Sequence, residues 1–191
     1  MYRSRLVATL GEALRAREWT ALADIVEGDP AVVQTKLEEA WSRCLASGDV
    51  VLIVGMASLW SSRERIAQAA SRCVRLVAVR TDNPQPMATL EVVERWARGE
   101  IDLDEVWRAG STASERAYEG DEIAELVSDV ASAAGDQSSG FDEEALNAAI
   151  RAVSGVIELG IDPRQVIELL ASELPSPSLD ALVSAVPDMG S

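Results

Sequence analysis

Apolar residues recur every three or four positions along most of the chain, the period of a helix buried on one side. Leu6, Leu10, Ala13 and Leu14 form such a stripe behind Ser4, and Asp29-Pro30 and Asp162-Pro163 each pair a capping side chain with proline at the first helical position. Both dipeptides predict helix starts. Ser61 with Glu64 has capping-box spacing, and Asp102 with Glu105 is a looser version flanked by Ile101 and Val106 as a hydrophobic staple. Gly99, Gly120 and Gly160 stand where stripes end, as left-handed C-terminal caps do, while Asn83-Pro84 breaks the chain ahead of a helix over Met87–Trp96.

Two stretches leave a second reading open. Asp49–Gly55 and Arg75–Arg80 are rich in β-branched residues, and a helical Ser61–Arg72 lies between them, so a β-α-β unit is conceivable. The rest of the chain offers neither a hairpin turn nor a further strand to complete a sheet. The preferred expectation is therefore an all-α protein, a multi-helix bundle or short helical array of about ten helices. Gly135-Asp-Gln-Ser-Ser-Gly140 is polar and bracketed by glycine, which divides the chain into a main helical domain (1–134), a linker (135–140) and a C-terminal helical appendage (141–191). About fifty residues make a marginal core, so the alternative is that the appendage packs back on the main body.

Composition narrows the chemistry. The 191 residues contain no histidine, which removes imidazole acid/base catalysis, Ser-His-Asp and Cys-His nucleophiles, and nearly every ordinary zinc or di-iron site. Lys36 is the sole lysine, so a Gly-Lys-Ser/Thr phosphate loop and a lysine-rich nucleic-acid face are missing. No loop has EF-hand spacing, and Gly-x-Gly-x-x-Gly is absent. The expectation is no enzyme, no catalytic, cofactor or metal site, and no direct binding of nucleic acid.

The opening residues lead into no apolar run of signal-peptide length, and Val50–Trp60 is far shorter than the roughly 20 residues a membrane helix needs. A cytoplasmic protein without a membrane partner is expected. Cys44 and Cys73, each in a Ser-Arg-Cys triplet within a periodic segment, read as small buried hydrophobes.

Charge is what points to a partner. Residues 1–80 carry eleven basic and nine acidic side chains, a net of +2, whereas residues 81–191 carry six and twenty-three, a net of −17. All five tryptophans lie in the first 107 residues, which places the larger core there. Over residues 121–134, Ile123, Leu126, Val127, Val130 and Ala134 share one helix face. Asp121, Glu122, Glu125 and Asp129 share the other, with no arginine in the segment. Asp121/Glu125 and Glu125/Asp129 are like-charge pairs one turn apart, each costing an isolated helix roughly 0.2–0.5 kcal/mol. A solvated face that keeps the protein soluble is the plain reading; a surface awaiting a cationic partner is the functional one. A second cluster, Glu91, Glu94, Glu100, Asp102, Asp104 and Glu105, is partly offset by Arg95 and Arg98. Its aspartates also fit first-turn positions facing a helix dipole.

Residues 61–119 resemble a family of alanine-rich, all-helical immunity proteins assigned to bacterial polymorphic toxin systems. The likeness rests on Arg65-Ile-Ala-Gln-Ala-Ala-Ser-Arg-Cys-Val-Arg-Leu76, on Asn83-Pro84, and on Glu94-Arg-Trp-Ala-Arg-Gly-Glu100 followed by Ile-Asp-Leu-Asp-Glu. After Trp107 the chain departs from that pattern, with the acidic 119–134 segment replacing a longer alanine-rich run. The resemblance implies a helical binding protein and carries over no catalytic residue. The sequence reading is thus a stoichiometric binder engaging a basic protein, a toxin or nuclease, through Asp121, Glu122, Glu125 and Asp129, with Glu91, Glu94, Asp102 and Asp104 as a second set. The rival is a helical assembly subunit or adaptor that meets other copies through apolar faces, a homo-oligomer with an exposed apolar patch along 141–186.

Overall fold

Nine helices follow one another along residues 29–135 and 143–185, the residues that the computed structural model describes, and no strand occurs among them. They are α1 (Pro30–Ser47), α2 (Val50–Ala57), α3 (Arg63–Ala78), α4 (Gln85–Ala97), α5 (Leu103–Ala117), α6 (Glu122–Ala133), α7 (Glu143–Glu158), α8 (Pro163–Glu173) and α9 (Leu179–Ala185). The Leu6–Leu14 stripe, Trp19, linker residues 136–140 and the tail from Pro187 lie outside the described residues.

The starts and stops follow from local chemistry. α1 and α8 open at Pro30 and Pro163, and the Asp162 carboxylate accepts the Arg164 N–H at 2.9 Å. Asp102 caps α5 through the Glu105 N–H at 3.1 Å, and Asp121 caps α6 through the Ala124 N–H at 3.0 Å. Gly99, Gly120 and Gly160 take the left-handed conformation expected of them, with φ of 73°, 87° and 84°. One cap moves. Ser62, not Ser61, accepts the Arg65 N–H that opens α3, because the Ser61 N–H is already bonded to the Ala57 carbonyl at the end of α2. Ser61 Oγ is left buried without a hydrogen-bond partner.

The two β-branched runs are helical. Asp49 caps α2 by accepting the Val51 and Leu52 N–H groups, and Val50, Ile53, Val54, Met56 and Ala57 are all buried. That helix is apolar nearly all round although Val51 and Leu52 face solvent, so no polar side marks an amphipathic period. Arg75–Ala78 is the last turn of α3.

Helix α3 sees α4, α6, α7 and α8, while α6 sees α3, α4, α5 and α7. Helices α7–α9, read above as an appendage, pack back into the same core: Ala148, Ala152, Val156, Leu170 and Leu182 join Leu37, Ile53, Val74 and Val127 in one buried cluster. About forty residues alone would bury too little surface to hold themselves together. At the far side, Trp41 and Trp60 meet edge to face at 5.3 Å, and the Trp60 indole N–H donates to the Pro175 carbonyl at 2.9 Å. The Gln34 amide donates to the Pro177 carbonyl and accepts the Leu179 N–H, which fixes the entry into α9.

Small residues set the spacing. A Cβ on Gly110 of α5 would stand 2.7 Å from the Ala131 Cβ of α6, and one on Gly155 of α7 would collide with the Leu126 side chain. Ala131 has no longer group to swing aside, so Gly110→Ala is expected to destabilise the protein by about 1–2 kcal/mol, overpacking exceeding the gain in helix propensity. A double-mutant cycle with Ala131→Gly, measured by urea unfolding, should return a favourable coupling; strict additivity would show that the two helices do not touch there.

Both cysteines are free and buried. Burial, reinforced by Asp49 near Cys44 and by Glu173 near Cys73, pushes the thiols up to about 11 and about 12 from the ordinary 9.0. A folded pKa above the unfolded one means that this contribution to stability is whole below pH 9.0 and is lost as pH rises toward about 11 for Cys44 and about 12 for Cys73. The urea midpoint should fall over that window, and fall less in the double variant Cys44→Ala, Cys73→Ala; parallel falls would exclude the thiols as the cause.

Candidate binding surface

The α6 helix presents its acidic side as a narrow strip, because four neighbouring helices cover the rest. Leu126, Val127, Val130, Ala131 and Ala134 are buried, as the helical period predicts, and Ile123 is partly so. Glu122 and Glu125 are exposed and make no hydrogen bond or ion pair among the described residues. Their two companions are committed elsewhere. Asp121 spends its carboxylate on the α6 cap, and Asp129 is bridged by Arg151 of α7, whose Nη2 donates to Oδ1 at 2.6 Å and whose Nε donates to the same oxygen at 3.1 Å. Asp129 keeps 15% of its side chain exposed against 57% for Arg151, so the arginine reaches over the carboxylate from outside. Its guanidinium is held above the ordinary range, chiefly by the hydrogen bond to Asp129. No arginine lies within the segment, but the neighbouring helix supplies one: Arg151 bridges Asp129 and also acts electrostatically on Glu125.

The second set divides more sharply. Glu94 points inward, with 7% of its side chain exposed. The Arg75 Nε and Nη2 donate to its two oxygens at 2.6 and 3.1 Å, Ser71 Oγ donates at 3.1 Å, and Arg72 stands at 3.8 Å. Glu94 fastens α4 to α3 and offers nothing to a partner, because it falls on the apolar stripe with Leu90 and Val93. Asp102 is the α5 cap, exposed but occupied. Glu91 and Asp104 are exposed and carry no hydrogen bond or ion pair among the described residues. Glu100 is held by Arg98 at 2.6 Å and by Arg95 at 3.7 Å, and its hydrogen bond to Arg98 lowers its pKa.

Geometry separates what remains. The Gly110–Ala131 approach sets α5 and α6 antiparallel, so Asp104 lies on the order of 20 Å from Glu122, at the other end of the pair. Around the short α5–α6 turn, by contrast, exposed Glu115, Glu119, Glu122 and Glu125 gather within a few turns of chain. Glu115 and Glu119 extend the set the sequence identified; their signal was the same acidic excess, continued through the turn.

This arrangement attracts cations by field and by exposed carboxylates. Among the described residues, no three Cys, Asp or Glu side chains are grouped so as to hold a metal ion, and no helix is long and apolar enough to cross a membrane. One internal space is lined by apolar side chains alone, among them Val54, Ile66, Ala149 and Val153, and a second, beside Pro86 and Val127, also meets Asn83, Gln85 and Arg116. The large apolar side chains left exposed are Val32, Val51, Leu52, Val79, Trp107 and Tyr118, so none among the described residues falls along the 141–186 stretch of the assembly reading. No family model, curated protein or solved structure matches the chain.

Burial separates structural from surface carboxylates, and stability should follow it. Glu94→Ala is expected to cost about 3 kcal/mol by urea unfolding, at the low end for a broken buried pair because Arg75 keeps 25% of its side chain in water. Replacing Glu122 and Glu125 together by arginine should move stability by less than about 0.5 kcal/mol. Equal losses would refute this division of roles.

Proposed function

We propose that the protein is a stoichiometric binder that engages a basic protein partner through the acidic surface around the α5–α6 turn, acting in the cytoplasm as an immunity protein against a toxin or nuclease. The observation that carries this reading is the contrast among its carboxylates. Those at Glu94, Asp102, Asp121 and Asp129 are taken up by the fold, whereas Glu115, Glu119, Glu122 and Glu125 are left in solvent without an ion pair among the described residues. Arg151 acts on Glu125 from α7, but Glu115, Glu119 and Glu122 remain exposed and favour a partner that brings the opposite sign, and the net charge of −15 extends that attraction over several ångströms of solution. The resemblance of residues 61–119 to helical immunity proteins supports the same class of partner, and two reduced thiols suit a reducing compartment.

Products of the genes adjacent to this one supply the test. A neighbour that is basic and toxic, and whose toxicity coexpression of this chain abolishes, is expected to associate at a rate that falls at least roughly tenfold between low and physiological salt. Glu122→Arg with Glu125→Arg should slow association by a similar factor and flatten the salt dependence without changing the fold. Association indifferent to salt and to charge reversal would overturn the reading.

A further inference from the structure

Helix α5 turns an unusual side to solvent. Taking about 100° per residue, Trp107, Tyr118, Ser111, Asp104, Glu115, Arg108, Glu119 and Thr112 follow one another within an arc of about 140°. All eight are exposed, while Leu103, Val106, Gly110 and Ala113 of the same helix are buried on the opposite side. Trp107 is 49% exposed and Tyr118 is 93% exposed, three turns and about 16 Å apart on one line. Tyr118 keeps helical backbone angles as the C-cap, so it continues the line rather than leaving it. Neither ring meets another aromatic ring among the described residues, where the one ring pair is Trp41 with Trp60.

Building on the basic-partner reading, we infer that this face of α5 is the anchoring part of the interface, with Trp107 and Tyr118 seating in apolar recesses of a partner surface whose rim is arginine or lysine. Aromatic side chains carry much of the energy of protein interfaces because they bring large, rigid area at low entropic cost. The exposed portions of these two rings amount to roughly 300 Å² of the ~800 Å² that one side of a standard interface covers. The rim fixes the occupant. Glu115 and Glu119 flank Tyr118, Glu122 follows across the turn, and Asp104 flanks Trp107, against the single exposed cation Arg108 on the arc. A second copy of the chain would set these carboxylates against their own kind, whereas a cationic rim meets them with opposite charge.

A synthetic amphipathic helix of leucine and arginine serves as the probe, titrated against the full-length protein by calorimetry at two salt concentrations. The expected result is salt-sensitive binding that weakens roughly tenfold or more in Trp107→Ala and in Tyr118→Ala, with Trp107→Phe retaining most of the affinity; the urea midpoint should be unchanged in Tyr118→Ala and lowered without loss of folding in Trp107→Ala, whose ring is half covered. Because both residues are exposed, loss of folding is not anticipated; Ser132→Ala, an exposed position of α6 off this arc, provides the matched control. Binding abolished by Glu122→Arg with Glu125→Arg but indifferent to both aromatic truncations would overturn the anchoring role while leaving the basic-partner reading standing. No binding at low salt would count against both. Concentration-dependent self-association removed by Trp107→Ala would replace the cationic partner by a second copy and overturn the proposal.

Discussion

Close approach of helices through small side chains is the constraint on which the rest of this structure depends. Gly110 lies against Ala131, Gly155 lies against Leu126, and Ala124, Ala133 and Ala134 line the other sides of α6. With little between the backbones, interaxial distances can fall toward the lower end of the usual 8–10 Å, and four helices can close round a fifth. A larger residue at any of these points would push a neighbour outward and open voids elsewhere in a densely packed interior. The same closeness decides the fate of the α6 carboxylates. Only a strip of the helix reaches water, so Glu122 and Glu125 project from it, while Asp129 comes within reach of an arginine on α7.

Charge that is lopsided along the chain is consequently less lopsided in space. Arginines from the weakly basic first part reach across to the acidic second part: Arg63 donates to the Ala134 carbonyl at the end of α6, and Arg80 donates to the Leu159 carbonyl at the end of α7. Both stand where a helix dipole is negative, so each satisfies an orphan acceptor and a field at once. Arg75 and Arg72 meet Glu94 in the same way. Three acidic-half elements are thus tied to α3 and its flanks by cations, which orients them around that helix. These contacts do not reach the exposed Glu115, Glu119 and Glu122 around the α5–α6 turn, nor the exposed Glu91, Asp104, Glu158 and Glu168 elsewhere on the surface.

The sequence could be read well wherever a signal is local. Proline after aspartate, aspartate at N-cap spacing and glycine at the end of a stripe act within one turn of chain, and α1, α5 and α8 begin or end as those residues dictate; Asp121, read as part of the acidic face, is itself the α6 cap. Ser61 misled by one position because Ser62 beside it can cap as well, and the choice depends on where α2 ends. The run over α2 was ambiguous for a different reason: its solvent side is Val51 and Leu52, so there is no polar side from which to read a period. Glu94 was legible in principle, since it shares a stripe with Leu90 and Val93, yet its charge drew it into the surface set. The bridge from Asp129 to Arg151 spans twenty-two residues and a change of helix, and nothing local announces it.

The proposed surface combines two forces of different range, and this explains why charge alone was the weaker guide to it. Attraction among screened charges fades within a Debye length of about 8 Å at physiological salt, so carboxylates at the α5–α6 turn speed an encounter and orient it but hold it loosely. Aromatic contact acts only after water has left, and then slows dissociation. In a chain whose aromatic content is 4%, Trp41 and Trp60 are spent on the core, whereas Tyr118 lies almost wholly in water and Trp107 leaves 49% of itself there. Placing them in line on α5, with acidic residues at both ends, couples a steering field to a short-range anchor on one rigid helix. A partner carrying only positive charge would be drawn to this end of the molecule and released again; one that also carries apolar recesses about three helical turns apart would stay.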